Sequence, residues 1–163
     1  MSHPIRHADT AADMAQARAL FEEYAGWLTI DLGFQGFAQE LADLPGAYAP
    51  PRGRLLLAGP QHAAVGCIAL RPLDLVADDG GPVAEVKRLY VQPGARGEAL
   101  GARLAQALLA EADAIGYRAL MLDTLEWMAP ARALYARLGF RECAPYYHNP
   151  HPDVVYMTRV RAS

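Results

Sequence analysis

The spacing of apolar and polar residues predicts two helices in the first third of the chain. Apolar residues recur every three or four positions from Met14 to Leu28, which predicts an amphipathic helix over residues 10–29. Thr10 and Asp13 have the spacing of a capping box at its start. The segment from Phe34 to Leu44 predicts a shorter second helix that ends before a proline–glycine pair.

The rest of the chain alternates short apolar segments with turns and two further helical patterns. A proline-rich segment with an Asp-Asp-Gly-Gly sequence, residues 72–82, is predicted to be a surface loop. The resulting order, β-α-α-β-β-β-α-β-α-β-β, is that of a single mixed α/β (α+β) domain over residues 3–160. Strands are predicted over residues 5–8, 54–58, 64–70, 83–91, 118–123, 140–144 and 154–159, and the two later helices over residues 100–115 and 131–138.

Composition and charge exclude several classes of protein. A length of 163 residues with 53% hydrophobic residues fits one folded domain, and a net charge of -3 favours neither nucleic acid nor a membrane surface as partner. No apolar segment approaches the roughly 20 residues of a membrane-spanning helix, and the polar N-terminal segment shows no secretory signal. We therefore expect a cytoplasmic protein, with Cys67 and Cys143 as reduced thiols.

The segment from Val91 to Gly101 joins a predicted strand to a predicted helix and is rich in small residues. The start of a helix presents unpaired N–H groups and partial positive charge, which phosphate groups bind. Arg96 can add a charge-assisted contact. An ordinary capped helix explains the same residues equally well. The dinucleotide motif G-x-G-x-x-G and the Gly-Lys-Ser/Thr ending of a P-loop are both absent.

A second motif, Ala-x-x-Leu-Tyr-x-x-x-Gly-Phe, extends from Ala131 to Phe140. By itself its tyrosine, Tyr135, is uninformative, because a tyrosine beside an apolar helix face usually packs in the core. Together with Arg96-Gly97-Glu98-Ala99-Leu100-Gly101, however, the chain resembles the GCN5-related N-acetyltransferase (GNAT) family. That family places Arg/Gln-x-x-Gly-x-Gly/Ala between a strand and a helix, and the resemblance covers about residues 3–160.

The resemblance implies a GNAT-like fold, with a central, mostly antiparallel sheet that splays open, and acetyl-CoA as the acetyl donor. It implies that loop amides bind the pyrophosphate and that the pantetheine arm lies between two separating strands, the first of which is bulged. Tyr135 matches the family tyrosine that protonates the departing thiolate. The residues expected to contact the coenzyme are Leu89, Tyr90, Val91, Arg96, Gly97, Ala99, Leu100, Gly101, Thr124 and Ala131.

Two positions depart from the family pattern. Ala99 stands where the family most often has the first glycine of Gly-x-Gly/Ala. A methyl is tolerated there if the residue is already helical, but it crowds the ligand if the backbone must approach a phosphate closely. Many members also have an asparagine after the following strand, where the nearest polar residues here are Thr124 and Glu126.

Acetyl transfer to an amine requires the neutral amine, so a general base is expected. Glu85 is the first candidate because it lies on the central strand before the expected bulge. A simple ion pair with Lys87, the only lysine, explains Glu85 equally well, and Glu126 and His148 are lesser candidates. The sequence His148-x-x-His151-x-Asp153 lacks further ligands, so no metal site is predicted.

The resemblance places the amine acceptor between the first two helices and the loop before the last predicted strand, residues 145–150 (the closing loop). Aromatic residues with few charges there predict a small, partly apolar amine, although for Trp27 and Phe37 packing in the core is the favoured interpretation. The residues expected to line this pocket are Trp27, Phe34, Gln35, Tyr146 and Tyr147.

Two hypotheses about function follow. The first is an N-acetyltransferase that moves the acetyl group directly to a primary amine of a small molecule or peptide in a ternary complex. Neither cysteine has an activating partner, which disfavours an acetyl-cysteine route. The second is a non-catalytic coenzyme A-binding or interaction module, which Ala99 favours and Tyr135 opposes. The expected partners are coenzyme A and an amine, and the chain could form a homodimer, as relatives commonly do.

Overall fold

The computed structural model describes residues 3–28 and 30–162, all with side chains except Phe34. The strands are β1 (Ile5–His7), β2 (Arg54–Ala58), β3 (Gly66–Val76), β4 (Pro82–Val91), β5 (Ala119–Leu125), β6 (Arg141–Cys143) and β7 (Val154–Val160). The helices are α1 (Ala11–Leu28), α2 (Phe37–Asp43), α3 (Leu100–Ile115) and α4 (Ala129–Arg137). The strands form one 7-stranded sheet in the order β1-β2-β3-β4-β5-β7-β6.

Helices cover both faces of this sheet. On one face α3 and α4 bury an apolar cluster that includes Val86, Leu104 and Leu120. On the other face α1 packs through residues such as Phe21 against Leu57. Every neighbouring pair of strands is antiparallel except β4 and β5. The structure therefore confirms the expected mixed, mostly antiparallel sheet flanked by helices.

The predicted capping box forms at the start of α1. The Asp13 amide donates to Thr10 Oγ1 at 3.0 Å, and Asp13 Oδ2 accepts from the Thr10 amide at 3.3 Å. Asp13 Oδ2 also accepts from the Asp9 amide at 3.0 Å, so one carboxylate satisfies two N–H groups at the start of the helix.

The central pair of strands separates part-way along its length. The parallel ladder between β4 and β5 joins Val83 to Ala119, Ala84 to Leu120 and Glu85 to Met121, and ends there. Both strands continue beyond these pairs, to Val91 and Leu125. A gap thus opens between the second halves of β4 and β5, as expected of a splayed sheet.

A bulge in β4 lies at this gap. Cys67 of β3 pairs with Tyr90 and Ala69 pairs with Lys87, so β4 has one more residue than its partner between these pairs. Arg88, inside this interval, has a φ of 65°, a conformation that residues other than glycine rarely adopt. The bulge therefore lies just beyond the point where β4 leaves its neighbour β5.

Two predicted boundaries were wrong. The predicted loop over residues 72–82 is shorter and covers only residues 77–81, because β3 extends to Val76 and pairs there with Pro82 at the start of β4. The second helix is also interrupted: a 3₁₀ turn over Gly33–Gln35 precedes α2, and Gly36 between them has a φ of 70°. No helix in the described part of the chain is long and apolar enough to span a bilayer.

Candidate active site

The bulge in β4 brings two consecutive basic side chains to the α1–α2 face of the sheet. Arg88 forms two hydrogen bonds of 2.9 Å with the Glu40 carboxylate on α2, and its guanidinium lies over the Phe37 ring at 5.2 Å. The Cys67 thiol donates to the Arg88 carbonyl at 3.2 Å. These contacts hold the bulge in place and fix α2 above it.

Glu85 lies on the same face, where the ladder between β4 and β5 ends, and is 1% exposed. Its Oε1 accepts a hydrogen bond from Arg71 Nε at 2.7 Å, and its Oε2 accepts one from the Tyr146 hydroxyl at 2.6 Å. Lys87 Nζ lies 3.9 Å from Oε1. The expected pairing with Lys87 is therefore present but loose, and Arg71 is the closer cation.

Lys87 is buried beside the gap. Its Nζ donates to Gln35 Oε1 at 2.8 Å. Burial, assisted by the charge of Arg88, lowers the pKa of Lys87 to about 8, although Glu85 and Asp123 act in the opposite direction. Gln35, predicted to line the acceptor pocket, thus contacts the only lysine of the chain.

A second carboxylate, Asp123 of β5, anchors the loop between β6 and β7. It accepts hydrogen bonds from the Tyr147 hydroxyl and from Asn149 Nδ2, the latter at 3.2 Å. Gln35 Nε2 donates to the Tyr147 hydroxyl at 3.3 Å. Burial raises the pKa of Tyr147, and Asp123 raises it further, so this phenol stays protonated. The network connects the closing loop with β5 and with the turn before α2.

A cavity of about 320 Å³ lies beside Glu85. Its walls come from β3, β4, the turn before α2 and the closing loop, and its lining residues are Gln35, Arg71, Leu73, Leu75, Glu85, Lys87, Tyr146, Tyr147 and His148. A wider groove of about 710 Å³ along β7 shares both tyrosines but contacts neither Glu85 nor Lys87. The smaller cavity is the one that adjoins the buried charges.

The loop before α3 has the features expected of an anion site. No side chain caps α3, so the N–H groups of its first turn have no side-chain partner in the described structure. Ala99 precedes the helix with a φ of 54° and a ψ of 30°. It is therefore left-handed, neither helical nor extended, and its methyl occupies a conformation that favours glycine.

The chain is similar to known acetyltransferases. The profile of the acetyltransferase (GNAT) family matches residues 17–140. The chain belongs to the GNAT family of acetyltransferases. A Schizosaccharomyces pombe protein named as an uncharacterized N-acetyltransferase is 42% identical over 147 residues, 89% of this chain and 86% of that protein.

Solved GNAT-like structures share the fold at low sequence identity. The crystal structure of an acetyltransferase from Streptococcus agalactiae covers 99% of both chains with a TM-score of 0.79 and 20% identity. A Salmonella typhimurium structure with acetyl-CoA covers 100% of this chain and 98% of its own, with a TM-score of 0.68 and 20% identity.

Tyr135, predicted from the sequence motif to match the GNAT tyrosine, is 7% exposed and packs edge-on against Phe140 with 5.5 Å between ring centroids. Its hydroxyl has no hydrogen-bond partner within residues 3–28 and 30–162. Burial raises the pKa of Tyr135 far above its usual value, so the phenol stays protonated. It is an unused proton donor on α4.

Arg96 of the GNAT loop folds back onto β4. Its Nε donates to the Val91 carbonyl at 2.9 Å, and its guanidinium lies 5.5 Å from the Trp27 ring and 5.9 Å from the Tyr90 ring. Trp27 also contacts Trp127, with 5.6 Å between ring centroids. This aromatic group bridges α1 and the segments that follow β4 and β5.

Trp27 neither packs in the core nor lines the cavity beside Glu85, although both positions were considered for it from the sequence. It is 40% exposed, so it does not close the core as predicted, and it is not among the residues that line the cavity beside Glu85. Phe37, in contrast, packs against the core as predicted. Of the other predicted pocket residues, Gln35, Tyr146 and Tyr147 do line the cavity, whereas the side chain of Phe34 lies outside the described part.

The remaining residues predicted to contact the coenzyme come from β4, β5 and α4. Leu89 and Val91 belong to the bulged half of β4, and Ala131 of α4 packs partly buried on the α3 side of the sheet. Thr124 is buried on β5, where its hydroxyl contacts Met128 Sδ at 3.6 Å. The sequence analysis did not predict three residues of the site. Strand register and loop packing alone place them there, and they are Arg71, Asp123 and Trp127.

The histidines of the closing loop do not converge. His151 Nδ1 accepts a hydrogen bond from the Asp153 amide at 3.1 Å. Within residues 3–28 and 30–162, no three His, Cys, Asp or Glu side chains are grouped so that they could hold a metal ion. Both cysteines are free; Cys67 is buried and Cys143 half-buried.

Proposed function

We propose that the protein transfers the acetyl group of acetyl-CoA directly to a primary amine of a small molecule or peptide while both are bound. One observation carries this proposal: the β4–β5 ladder ends at Glu85, and the gap beyond it adjoins a cavity lined by that carboxylate. A donor in the gap and an acceptor in the cavity would meet at the bulge.

The residues around the start of α3 fit the phosphates of the coenzyme. The uncapped N–H groups of Leu100 and Gly101 and the helix dipole favour an anion there. Gly97 has a φ of 106°, and nothing lies within 4 Å of where a Cβ would stand, so the backbone is open to a ligand. Arg96 would turn from the Val91 carbonyl to the phosphates.

The bulged half of β4 fits the pantetheine arm. Leu89, Tyr90 and Val91 lie on one side of the gap and Thr124 on the other, and Ala131 belongs to α4, which covers the α3 side of the sheet. Bound acetyl-CoA would supply the acetyl group as an activated thioester. A backbone N–H beside the bulge would polarise the thioester carbonyl, an oxyanion-type contribution.

Glu85 would accept the proton that the acceptor amine must lose. An ammonium with a pKa near 10.4 lies about 3.4 units from pH 7, so its neutral form is roughly 4.6 kcal/mol less stable there. Glu85 is buried, but its Oε2 accepts from the Tyr146 hydroxyl, which lines the cavity. A proton passed to the Tyr146 oxygen, with the phenol proton moving to Glu85, would leave Tyr146 unchanged.

Tyr135 would donate the proton that the departing thiolate needs. It is protonated at neutral pH and its hydroxyl has no partner in the described structure. Direct transfer is favoured over an acetyl-cysteine because burial raises the pKa of Cys67, whose thiol donates to the Arg88 carbonyl. The pKa of the Cys143 thiol is also raised, through desolvation.

A non-catalytic coenzyme A-binding module is the second candidate, and the left-handed Ala99 favours it. The methyl lies in the loop where the proposal places the phosphates. A module would retain the gap between β4 and β5 without turnover. The unused hydroxyl of Tyr135 and the buried Glu85 at the cavity favour the enzyme.

Two measurements separate these functions. Coenzyme binding is followed by tryptophan fluorescence, because Trp27 and Trp127 touch each other and Arg96 lies over Trp27. Turnover is followed as free thiol released from acetyl-CoA with amines, amino acids, peptides and aminoglycosides. Saturable binding with turnover on at least one acceptor supports the enzyme. Binding without turnover on any acceptor supports the module, and no binding contradicts both.

A further inference from the structure

Two arginines lie near the gap, and their hydrogen bonding differs. Arg88 donates from Nε and Nη2, one edge of its guanidinium, to both oxygens of Glu40 and is 3% exposed, so that edge is occupied. Arg71, which pairs with Glu85 across the β3–β4 ladder, makes one hydrogen bond, from Nε to Oε1 at 2.7 Å. Its Nη1 and Nη2 have no partner in the described structure, and its side chain is 39% exposed.

The single hydrogen bond from Nε to Glu85 orients the Arg71 guanidinium and leaves its two terminal nitrogens, Nη1 and Nη2, free to bind a ligand. A guanidinium offers five N–H donors in a planar fork, and the two terminal nitrogens match the two oxygens of a carboxylate. Arg71 lines the 320 Å³ cavity, whose other cation, Lys87, already donates to Gln35 and lies near Glu85. Arg71 thus brings to the lining of this cavity two terminal nitrogens without a hydrogen-bond partner among the described residues.

Beyond Arg71, β3 brings two leucine side chains to the same cavity. Leu73 and Leu75 both line it, and Leu75 is 42% exposed. One wall of the cavity therefore presents a guanidinium and two leucine side chains in a row. The Glu85–Tyr146 hydrogen bond lies at the end of this row where the gap between β4 and β5 begins.

We infer that the acceptor is a small apolar amino acid, whose carboxylate binds Arg71 and whose side chain lies along Leu73 and Leu75. This inference rests on the proposed acetyl transfer and adds the class of acceptor to it. The amino group, adjacent to the carboxylate, would then lie near the Tyr146 hydroxyl. Arg71 becomes a specificity-determining residue, because a site built to bind a carboxylate rejects an analogue without one.

The test compares acceptors that differ only at the carboxylate. Leucine, leucinamide and 3-methylbutylamine form one series, and phenylalanine, phenylalaninamide and phenethylamine a second. An amino acid amide has the less basic amine, so without an anion site it would be the better acceptor. We expect kcat/KM for the amino acid to exceed that for its amide and its decarboxylated amine by about tenfold or more.

Variants of Arg71 identify the residue responsible. In Arg71→Gln the preference for the amino acid should be lost and its amide should become the better acceptor, and Arg71→Lys should restore part of the preference because the charge returns without the planar fork. Arg141→Gln is the matched control: it removes a positive charge from an exposed side chain on β6 and should keep the wild-type preference. Thermal unfolding of each variant checks that the fold persists.

The outcomes distinguish this inference from the proposed function. Two results would show that Arg71 does not bind the carboxylate of the acceptor. One is equal kcat/KM for an amino acid, its amide and its decarboxylated amine; the other is that Arg71→Gln lowers kcat/KM equally for all three members of a series. The proposed transfer would then stand with another acceptor class. If acetyl-CoA binds and no acceptor in any series releases thiol, the proposed function fails, and this inference fails with it.

Discussion

The Tyr146 hydroxyl donates a 2.6 Å hydrogen bond to Oε2 of Glu85, and Arg71 Nε donates a 2.7 Å bond to the other oxygen. The two donors come from the closing loop and from β3. Glu85 itself is almost completely buried, whereas Tyr146 lines the cavity. An acceptor bound in the cavity, as proposed, would therefore exchange a proton with Glu85 through the Tyr146 phenol of the closing loop.

Glu85→Gln should slow acetyl transfer most at low pH. Glutamine keeps the shape of the side chain but cannot take up a proton, so the protonated amine loses its base. We expect kcat to fall about 100-fold near pH 7, within the range usual for general bases, and the loss to shrink as the free amine becomes abundant at higher pH. The measurement is a pH–rate profile with saturating acetyl-CoA.

Tyr146→Phe tests the same proposed proton transfer by removing the hydroxyl group and not the carboxylate. It leaves the Arg71–Glu85 bond in place and removes the hydroxyl between cavity and carboxylate. Its profile should resemble that of Glu85→Gln. If both variants merely lower the rate by the same factor at every pH, Glu85 and Tyr146 have a structural role and not a role in proton transfer.

Tyr135→Phe should lower kcat about 10- to 100-fold and leave the KM for acetyl-CoA nearly unchanged, because an acid acts only on the departing thiolate. Tyr117→Phe is the matched control, since Tyr117 is also buried but donates to the Arg52 carbonyl at 2.7 Å, away from the gap. That control should lose about 1 kcal/mol of stability without a change in kcat. Wild-type turnover in Tyr135→Phe across the pH range would remove this tyrosine from the mechanism.

The elements that local sequence governs were predictable. The capping box of Thr10 and Asp13 and the ends of α3 depend on residues a few positions apart, and each lies where the pattern predicted it. The mixed, mostly antiparallel fold of a GNAT protein followed from two spaced motifs and the order of elements. These features need no knowledge of how distant segments pair.

The site depends on pairings that the local pattern does not contain. Arg71 meets Glu85 only through the register of the β3–β4 hairpin, and the second half of β3 was predicted as loop because the prolines at positions 72 and 82 obscured the alternation of its leucines. Asp123 joins the site through a loop more than twenty residues away. The bulge requires a positive φ at Arg88, a residue type that shows no preference for that conformation.

Ala99→Gly should stabilise the fold slightly. An L-residue in the left-handed conformation costs about 1–2 kcal/mol, while glycine gives back about 0.4–1 kcal/mol through its greater freedom in the unfolded chain. We expect a net gain of about 0.5 kcal/mol in urea unfolding, with acetyl-CoA binding at least as tight as in the wild type. Ala110→Gly, at an exposed position inside α3, should instead lose about 1 kcal/mol. Destabilisation by both changes would contradict the left-handed assignment of Ala99.

Lys87 should make stability depend on pH in a defined direction. Its pKa is about 8 in the folded protein and 10.5 in the unfolded chain, so between these values the unfolded state binds more protons. Stability therefore rises with pH through this window, since above pH 8 the folded protein no longer carries a buried charge there. For this group alone the gain between pH 7 and pH 9 is about 1.3 kcal/mol.

Other groups titrate at neighbouring pH values, so the measurement compares wild type with Lys87→Met. Cys67, Cys143 and the buried tyrosines, whose raised pKa values lower stability at high pH, contribute equally to both proteins and cancel. The free energy of unfolding of the wild type, relative to Lys87→Met, should increase by about 1 kcal/mol from pH 7 to pH 9. Arg141→Met, which removes an exposed charge that does not titrate in this range, should show a constant difference from the wild type. A constant difference for Lys87→Met as well would mean that Lys87 keeps an ordinary pKa, and that burial beside Arg88 does not favour its neutral form.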